Sequence, residues 1–100
     1  MLAGLSFTWD PPKAASNLKD HGVSFEIAMQ AFADPHQLSE QDRIEGGEWR
    51  WQMYGAVGSV LLMVAYAWWE EEDGEVVRII SARLATREER IIYVQNLGSV

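Results

Sequence analysis

The sequence predicts an α+β domain in which helices pack on one small antiparallel sheet, in the order β-α-α-β-β-β-α. Three observations support this fold class. Apolar residues recur at helical spacing through residues 11–34, and residues 48–82 contain the alternating or continuous apolar runs that are typical of strands. A Thr86-x-x-Glu89 pattern then indicates the capping box of a final helix.

The first two predicted elements are a short strand at residues 7–9 and a helix that follows it. Asp10 is a suitable N-cap, and Pro11 and Pro12 fit the first helical turn. The helix is expected to end at Gly22, because glycine readily adopts the left-handed position that follows a helix. At spacings of four and three, its core-facing stripe is expected to be Ala14, Leu18 and His21.

A second helix is predicted to begin after Ser24, whose hydroxyl can cap it. Its apolar residues recur at i, i+3, i+4 and i+7, which indicates one core-facing stripe. That stripe is Phe25, Ala28, Met29 and Phe32. The helix should end at Asp34-Pro35, because a residue before proline avoids the helical conformation.

The pattern of apolar residues in the middle of the chain predicts the strands of the sheet. Residues 36–47 are polar and without periodicity, so they are predicted to form a loop. Residues 48–54 alternate between apolar and polar side chains, as in a half-buried strand. Gly55 and Gly58 indicate a turn, and residues 60–68 form an almost continuously apolar strand. Asp73-Gly74 then indicates a hairpin.

The remaining elements are a returning strand at residues 76–82 and the helix that Thr86 and Glu89 cap. This helix is expected to run to about Tyr93, with residues 96–100 as a frayed tail. One hundred residues correspond to a single domain, 1–100, with a core over about residues 5–94.

Composition limits the classes of protein that the chain can represent. Cysteine is absent, which excludes disulfides and thiolate chemistry. The start of the chain has no positive charge and no long apolar run, so no signal peptide is expected. The longest apolar run, residues 60–69, is about half of a membrane span. The expected location is therefore the cytoplasm.

The charge of −7 is unevenly distributed along the chain. Residues 25–75 hold eleven acidic residues and two arginines, a net charge of −9. Residues 76–100 hold four arginines and two glutamates, a net charge of +2. A chain polarised in this way can hold RNA at one end, but weakly and with marked sensitivity to salt.

The basic segment at residues 78–90 has four arginines in thirteen residues, where a strand meets a helix. Arginine keeps its charge at any working pH, and its planar fork of donors fits phosphate oxygens. The segment therefore indicates an anion-binding site. His21, near the other end of the chain, can take or give a proton near neutral pH.

Two motifs resemble the BrnT-like toxins of bacterial type II toxin–antitoxin systems. One is Arg-Ile-Ile-Ser-Ala-Arg-Leu-Ala-Thr-Arg-Glu-Glu-Arg at residues 78–90, and the other is the opening segment at residues 7–25. The resemblance implies a RelE-like fold and metal-independent RNA cleavage by attack of the 2′-hydroxyl, without a cofactor. It also implies a BrnA-like antitoxin that forms a hetero-oligomer with the toxin, and contact with DNA only through that antitoxin.

Together, the motifs and the chemistry assign the candidate residues. Arg83, His21 and Arg87 are predicted to be catalytic. The candidates for RNA binding are Lys13, Lys19, Arg78, Arg90 and Tyr93, and no metal ligand is predicted. Each has a structural alternative: the charged residues are often solvated or ion-paired, His21 can stabilise a helix end, and Tyr93 can close the core.

Two geometric expectations follow. Arg83 and His21 should face one cleft, with their side-chain tips roughly 5–8 Å apart so that a phosphodiester fits between them. Arg78 and Ser81 are three residues apart in a strand, so they point to opposite faces unless a bulge intervenes.

An interaction module without catalysis is the alternative function. The acidic middle of the chain suits a basic partner protein. The adjacent Trp68 and Trp69 support this alternative, since one ring must leave a flat strand on the outer side.

Overall fold

The computed structural model describes residues 4–98. Strand β1 (Leu5–Thr8) is followed by helices α1 (Pro11–His21) and α2 (Phe25–Gln30), and a 3-10 helix (Ala31–Ala33) extends the second. Strands β2 (Leu38–Glu45), β3 (Glu48–Val57), β4 (Val60–Glu71) and β5 (Gly74–Leu84) precede the last helix, α3 (Arg87–Gly98). The predicted α+β class is confirmed.

All five strands lie in one sheet, in the spatial order β1-β5-β4-β3-β2. β1 pairs with β5 in parallel, and the other neighbours are antiparallel. The predicted sheet was too small and the predicted element order lacked β2. Both predictions are therefore wrong in these respects.

The missed strand, β2, lies where a loop was expected. It is an edge strand that pairs only with β3, and all its side chains after Leu38 are exposed. A strand with no buried face shows no apolar alternation, so the sequence pattern gave no signal for it.

Gly55 lies within β3 and does not form the predicted turn. A Cβ at this position would be 2.7 Å from both Ala31 O and Met53 Sδ, so glycine lets the 3-10 helix approach the strand. The turn between β3 and β4 is at Gly58, which has φ +61°.

The predicted helix ends are largely confirmed. Gly22 follows α1 with φ 70°, and its N–H donates to Leu18 O at 2.9 Å. Ser24 Oγ caps α2 by accepting from Ile27 N at 3.1 Å. Asp10 occupies the N-cap position of α1, but its side chain makes no capping hydrogen bond.

Helix α3 is longer than predicted. It continues past Tyr93 to Gly98, so the frayed tail is wrong for residues 96–98, while residues 99 and 100 lie outside the described part.

The predicted core stripe is correct for the second helix, whereas in the first helix it is correct for Ala14 and wrong for Leu18 and His21. Phe25 and Ala28 have no exposed surface. In α1, by contrast, Leu18 is 51% exposed and His21 is also exposed. The buried residue of α1 is Asn17, whose amide is used in hydrogen bonding to the sheet.

The sheet has two unlike faces. We call the first the α2 face, where the main core packs sheet residues such as Val64 and Ile79 against Phe25 and Phe32. We call the second the α3 face, where α3 contributes Tyr93 to a smaller cluster with Tyr54, Leu61 and Met63. Within residues 4–98, no helix is both long and apolar enough to cross a membrane.

Candidate functional site

Polar side chains gather on the α3 face of the sheet. Residues in register on antiparallel strands point to the same face, so the pairing shows which side chains lie together. Three rows cross β3, β4 and β5: Arg50–Ala67–Arg78, Gln52–Ala65–Ser81 and Tyr54–Met63–Arg83. Small alanines in the middle strand therefore separate the polar residues of the first two rows, and Met63 lies at the middle of the third.

A bulge in β5 puts Arg78 and Ser81 on this one face. Ser81 pairs with Ala65, whereas Ile79 pairs with the next residue of β4, Tyr66. Ile80 is therefore an extra residue, and the alternation of side chains shifts by one position. A bulge was the predicted condition for Arg78 and Ser81 to share a face, and β5 contains one.

Ion pairs neutralise the arginines in the first row. Glu48 Oε1 bridges two of them, accepting from Arg78 Nη2 and from Arg50 Nε, the latter at 3.2 Å. Arg50 also lies 3.6 Å from Glu45. Ala67, between the two arginines in register, has no exposed surface.

The chain of alternating charges continues to the edge strand. Glu45 pairs with Arg43 at 2.9 Å, and Arg43 pairs with Asp42 at 2.8 Å. The pKa of Glu45 is lowered, first by the hydrogen bond from Arg43 and then by Arg50 and, more weakly, Lys13. The series of ion pairs therefore has a positive end at Arg78 and a negative end at Asp42.

Lys13 lies at the positive end. It lines a cleft of about 270 Å³ together with Asp10, Arg78, Ile79 and Ile80. The lysine comes from the first turn of α1 and the arginine from β5. Two of the residues predicted to bind RNA are thus brought together, although they are far apart in sequence.

Asn17 holds α1 in this position. Its Nδ2 donates to Ala82 O at 2.8 Å and to Val23 O at 2.9 Å, and its Oδ1 accepts from Ala82 N at 3.1 Å. The amide thus satisfies both backbone groups of Ala82, much as a neighbouring strand would. The role of Asn17 was not predicted from the sequence, because an asparagine in a helix gives no sign that its partners are distant.

Arg83 is tied to the start of α3. Its guanidinium donates to both oxygens of Glu89, at 2.8 and 2.9 Å. Glu89 Oε1 also accepts from Thr86 N at 2.8 Å, and Thr86 Oγ1 accepts from Glu89 N at 3.2 Å. The predicted capping box is confirmed, and a carboxylate occupies the position at the helix start where an anion was expected.

This arrangement shifts the ionisation of both partners. The hydrogen bond from Arg83 is the main cause that lowers the pKa of Glu89, despite partial burial. The same hydrogen bond raises the pKa of Arg83. Both side chains are therefore charged across the whole working pH range.

A family model described as "Ribonuclease toxin, BrnT, of type II toxin-antitoxin system" matches residues 9–89. The chain belongs to the BrnT family. The match includes nearly all of both motifs and covers Lys13, Arg78 and Arg83. Membership implies a ribonuclease toxin with an antitoxin partner. No curated protein gives a significant match to the chain.

The other candidate residues of this BrnT chain are dispersed. His21 is exposed one helical turn after Asn17, and Lys19 is exposed on the same helix. Neither side chain makes a hydrogen bond or an ion pair within residues 4–98. Arg83 points to the α3 face and no contact joins it to His21, so their shared cleft stays a prediction.

Helix α3 carries the last three candidates. Arg87 and Arg90 are exposed, and no ion pair involves them in the part of the chain that the structure describes. Tyr93 is only 8% exposed, and its hydroxyl donates to Asp34 Oδ2 at 2.5 Å. The alternative role, closing the core, thus fits Tyr93 better than stacking on a base.

Asp34 links α3 to the sheet. Its Oδ2 also accepts from Ala56 N at 2.8 Å. Burial alone would raise the pKa of Asp34, but the hydrogen bonds from Tyr93, Ala56 and His36 lower it. Burial, followed by the bond to Asp34, raises the pKa of Tyr93 to about 12.

Among residues 4–98, no group of three or more histidine, aspartate or glutamate side chains has an arrangement that could hold a metal ion.

Proposed function

We propose that the chain is an endoribonuclease with a RelE-like fold, which a BrnA-like antitoxin neutralises in the cytoplasm as a hetero-oligomer. DNA would be contacted only through the antitoxin. The observation that best supports RNA cleavage, beyond family membership, is the cleft in which Lys13 and Arg78 lie together beside the α3 face. Two cations from different elements provide an attractive position for a phosphate group.

The proposed reaction requires no metal. The ribose 2′-oxygen attacks the adjacent phosphorus, the bond to the 5′-oxygen breaks, and a 2′,3′-cyclic phosphate remains. A base must accept the 2′-hydroxyl proton and an acid must protonate the leaving 5′-oxygen, and His21 is proposed for one of these roles. Arg83 and Arg87 are proposed to stabilise the negative charge that grows on the phosphate oxygens.

The remaining cations are proposed to guide the RNA backbone. Lys19 and Arg90 are exposed on α1 and α3. Charges of this kind attract phosphates at a distance, so their contribution should decrease as the salt concentration rises.

The test is cleavage of a short RNA by the purified chain, with and without EDTA, and with detection of the cyclic phosphate. Cleavage should persist in EDTA. Arg83→Ala should reduce the rate by about 10²–10³-fold, as does removal of one stabilising donor in other enzymes. Arg43→Ala, on the outer edge strand, is the matched control and should retain the wild-type rate.

A thermal melt of Arg83→Ala must show a cooperative transition, because this change also frees Glu89 of the capping box. Cleavage that vanishes in EDTA, or an equal rate in Arg83→Ala and wild type, would contradict the proposed mechanism.

A non-catalytic interaction module is the second candidate. It is favoured by the pairing of each arginine on the α3 face with a carboxylate, which leaves little free positive charge for RNA. Arg83→Ala separates the two functions. If the chain is an interaction module, Arg83→Ala should change neither partner binding nor toxicity. If the chain is a ribonuclease, Arg83→Ala should lose toxicity and keep partner binding.

A further inference from the structure

The α2 face is only partly covered by its helices. Beside Phe32 of the 3-10 helix that follows α2, the sheet forms a mostly apolar groove of about 360 Å³, lined by residues that include Trp51, Tyr66, Trp68 and Val77. Trp68 is still 37% exposed there. Aromatic side chains left open to water on one side of a sheet are typical of a surface that a partner covers.

Two more exposed apolar residues lie next to the groove. Ile44 and Trp49 are a cross-strand pair at the β2–β3 end of the same face, and they are 55% and 51% exposed. With Trp68 they extend the apolar surface beyond the groove itself. A partner that fills the groove would bury these side chains as well.

A pair of like charges lies at one end of the groove. Glu70 and Glu75 are directly opposite each other on β4 and β5. Both lie on the α2 face, since each is two residues away from a member of the pair Trp68–Val77. Like charges that face each other across two strands destabilise a sheet.

The α3 face has a comparable acidic pair, but that pair has cation partners. Glu45 and Glu48 are also directly opposite, but Arg43, Arg50 and Arg78 neutralise them. Glu70 and Glu75 have no cation partner within residues 4–98, and Glu75 accepts only from Trp68 Nε1, at 2.8 Å.

We propose that this groove receives a segment of the antitoxin that carries an apolar side chain and a lysine or arginine. The apolar side chain fills the groove beside Trp51 and Trp68, and the cation lies between Glu70 and Glu75. This inference rests on the proposed function only in assuming that the chain has an antitoxin.

Glu70→Lys provides the main test, because it affects folding and binding in opposite directions. Within the free chain the new lysine faces Glu75, so the melting temperature should not fall. Toward the antitoxin the lysine repels the incoming cation, and affinity should fall by about tenfold or more. The partner used is the product of the open reading frame beside the toxin gene, titrated into the full-length chain by calorimetry.

Two further measurements complete the experiment. Glu26→Lys, the same charge change on exposed α2, is the matched control and should bind as the wild type does. The indole N–H resonance of Trp51, assigned through Trp51→Phe, should shift in the complex, because the incoming apolar side chain packs beside this ring.

The antitoxin-binding experiment can fail or succeed independently of the RNA cleavage assay. A complex that forms with equal affinity in Glu70→Lys and wild type, and with an unmoved Trp51 resonance, would place the antitoxin elsewhere and overturn the proposal. Failure of the wild type to bind would overturn it as well. RNA cleavage by the chain alone does not depend on either result.

Discussion

Replacing Asn17 by alanine should destabilise the fold more than any other single polar change on α1. The side chain makes three hydrogen bonds to backbone groups, and only 6% of the residue is exposed. Truncation leaves Ala82 N–H, Ala82 C=O and Val23 C=O without these partners. Each orphaned group costs about 1–3 kcal/mol when buried, and water reaching the sheet edge reduces the sum.

We therefore expect a loss of about 3 kcal/mol in the free energy of unfolding, with each backbone group contributing about 1 kcal/mol. For a domain of this size, 1 kcal/mol corresponds to about 4–8 °C, so the melting temperature should fall by about 12–24 °C. Urea denaturation followed by tryptophan fluorescence measures the free energy, and calorimetry measures the melting temperature.

Ser16→Ala is the matched control for Asn17→Ala. Ser16 is the preceding residue, and its exposed hydroxyl donates to Pro12 O at 3.1 Å. Its removal should change stability by no more than about 0.5 kcal/mol. If Asn17→Ala costs under about 1 kcal/mol, or no more than Ser16→Ala, the amide does not hold α1 against β5.

Two further predictions concern charge and pH. Glu48→Gln removes the anion that two arginines share and should raise RNA affinity by about fivefold at low salt, measured by fluorescence anisotropy, whereas Glu26→Gln should leave it nearly unchanged. An unchanged or lower affinity in Glu48→Gln would mean that RNA avoids the α3 face. The pKa of Tyr93 rises from 10.0 to about 12 on folding, so its stabilising contribution is complete below pH 10 and is lost as the pH rises toward 12. Tyr93→Phe should reduce this alkaline loss in urea titrations, and an identical pH profile would contradict the bond to Asp34.

The sequence predicted best those features that neighbouring residues decide. Gly22, Ser24 and the Thr86–Glu89 box end or start helices through hydrogen bonds within a few residues, so their chemistry is readable from spacing alone. The Asp73-Gly74 hairpin is of the same kind, and β4 and β5 do pair across it.

Features that depend on distant partners were missed. β2 exists because β3 offers a strand edge, and its own exposed residues carry no pattern. Asn17 is buried because Ala82, 65 residues away, presents two backbone groups to it. The bulge at Ile80, which decides the direction of Arg78, likewise has no signal in composition or spacing.

The same limitation applies to the candidate site. Four arginines between residues 78 and 90 indicate an anion site, but sequence does not show which of them are already paired. In the structure Arg83 faces Glu89, a carboxylate held in turn by the backbone of Thr86. An incoming phosphate would have to displace a carboxylate that also caps a helix.

The cleft beside Arg78 presents a smaller obstacle to a phosphate. Arg78 shares its carboxylate, Glu48, with Arg50, and Lys13 adjoins it without an ion pair of its own within residues 4–98. A phosphate entering there needs to displace no capping group, and it meets the positive end of the series of ion pairs. We therefore expect RNA to be anchored first at Lys13 and Arg78, with Arg83 engaged only when the phosphate competes successfully for it. An acidic protein can bind RNA in this way, because the local order of its charges, and not their sum, determines where a phosphate is attracted.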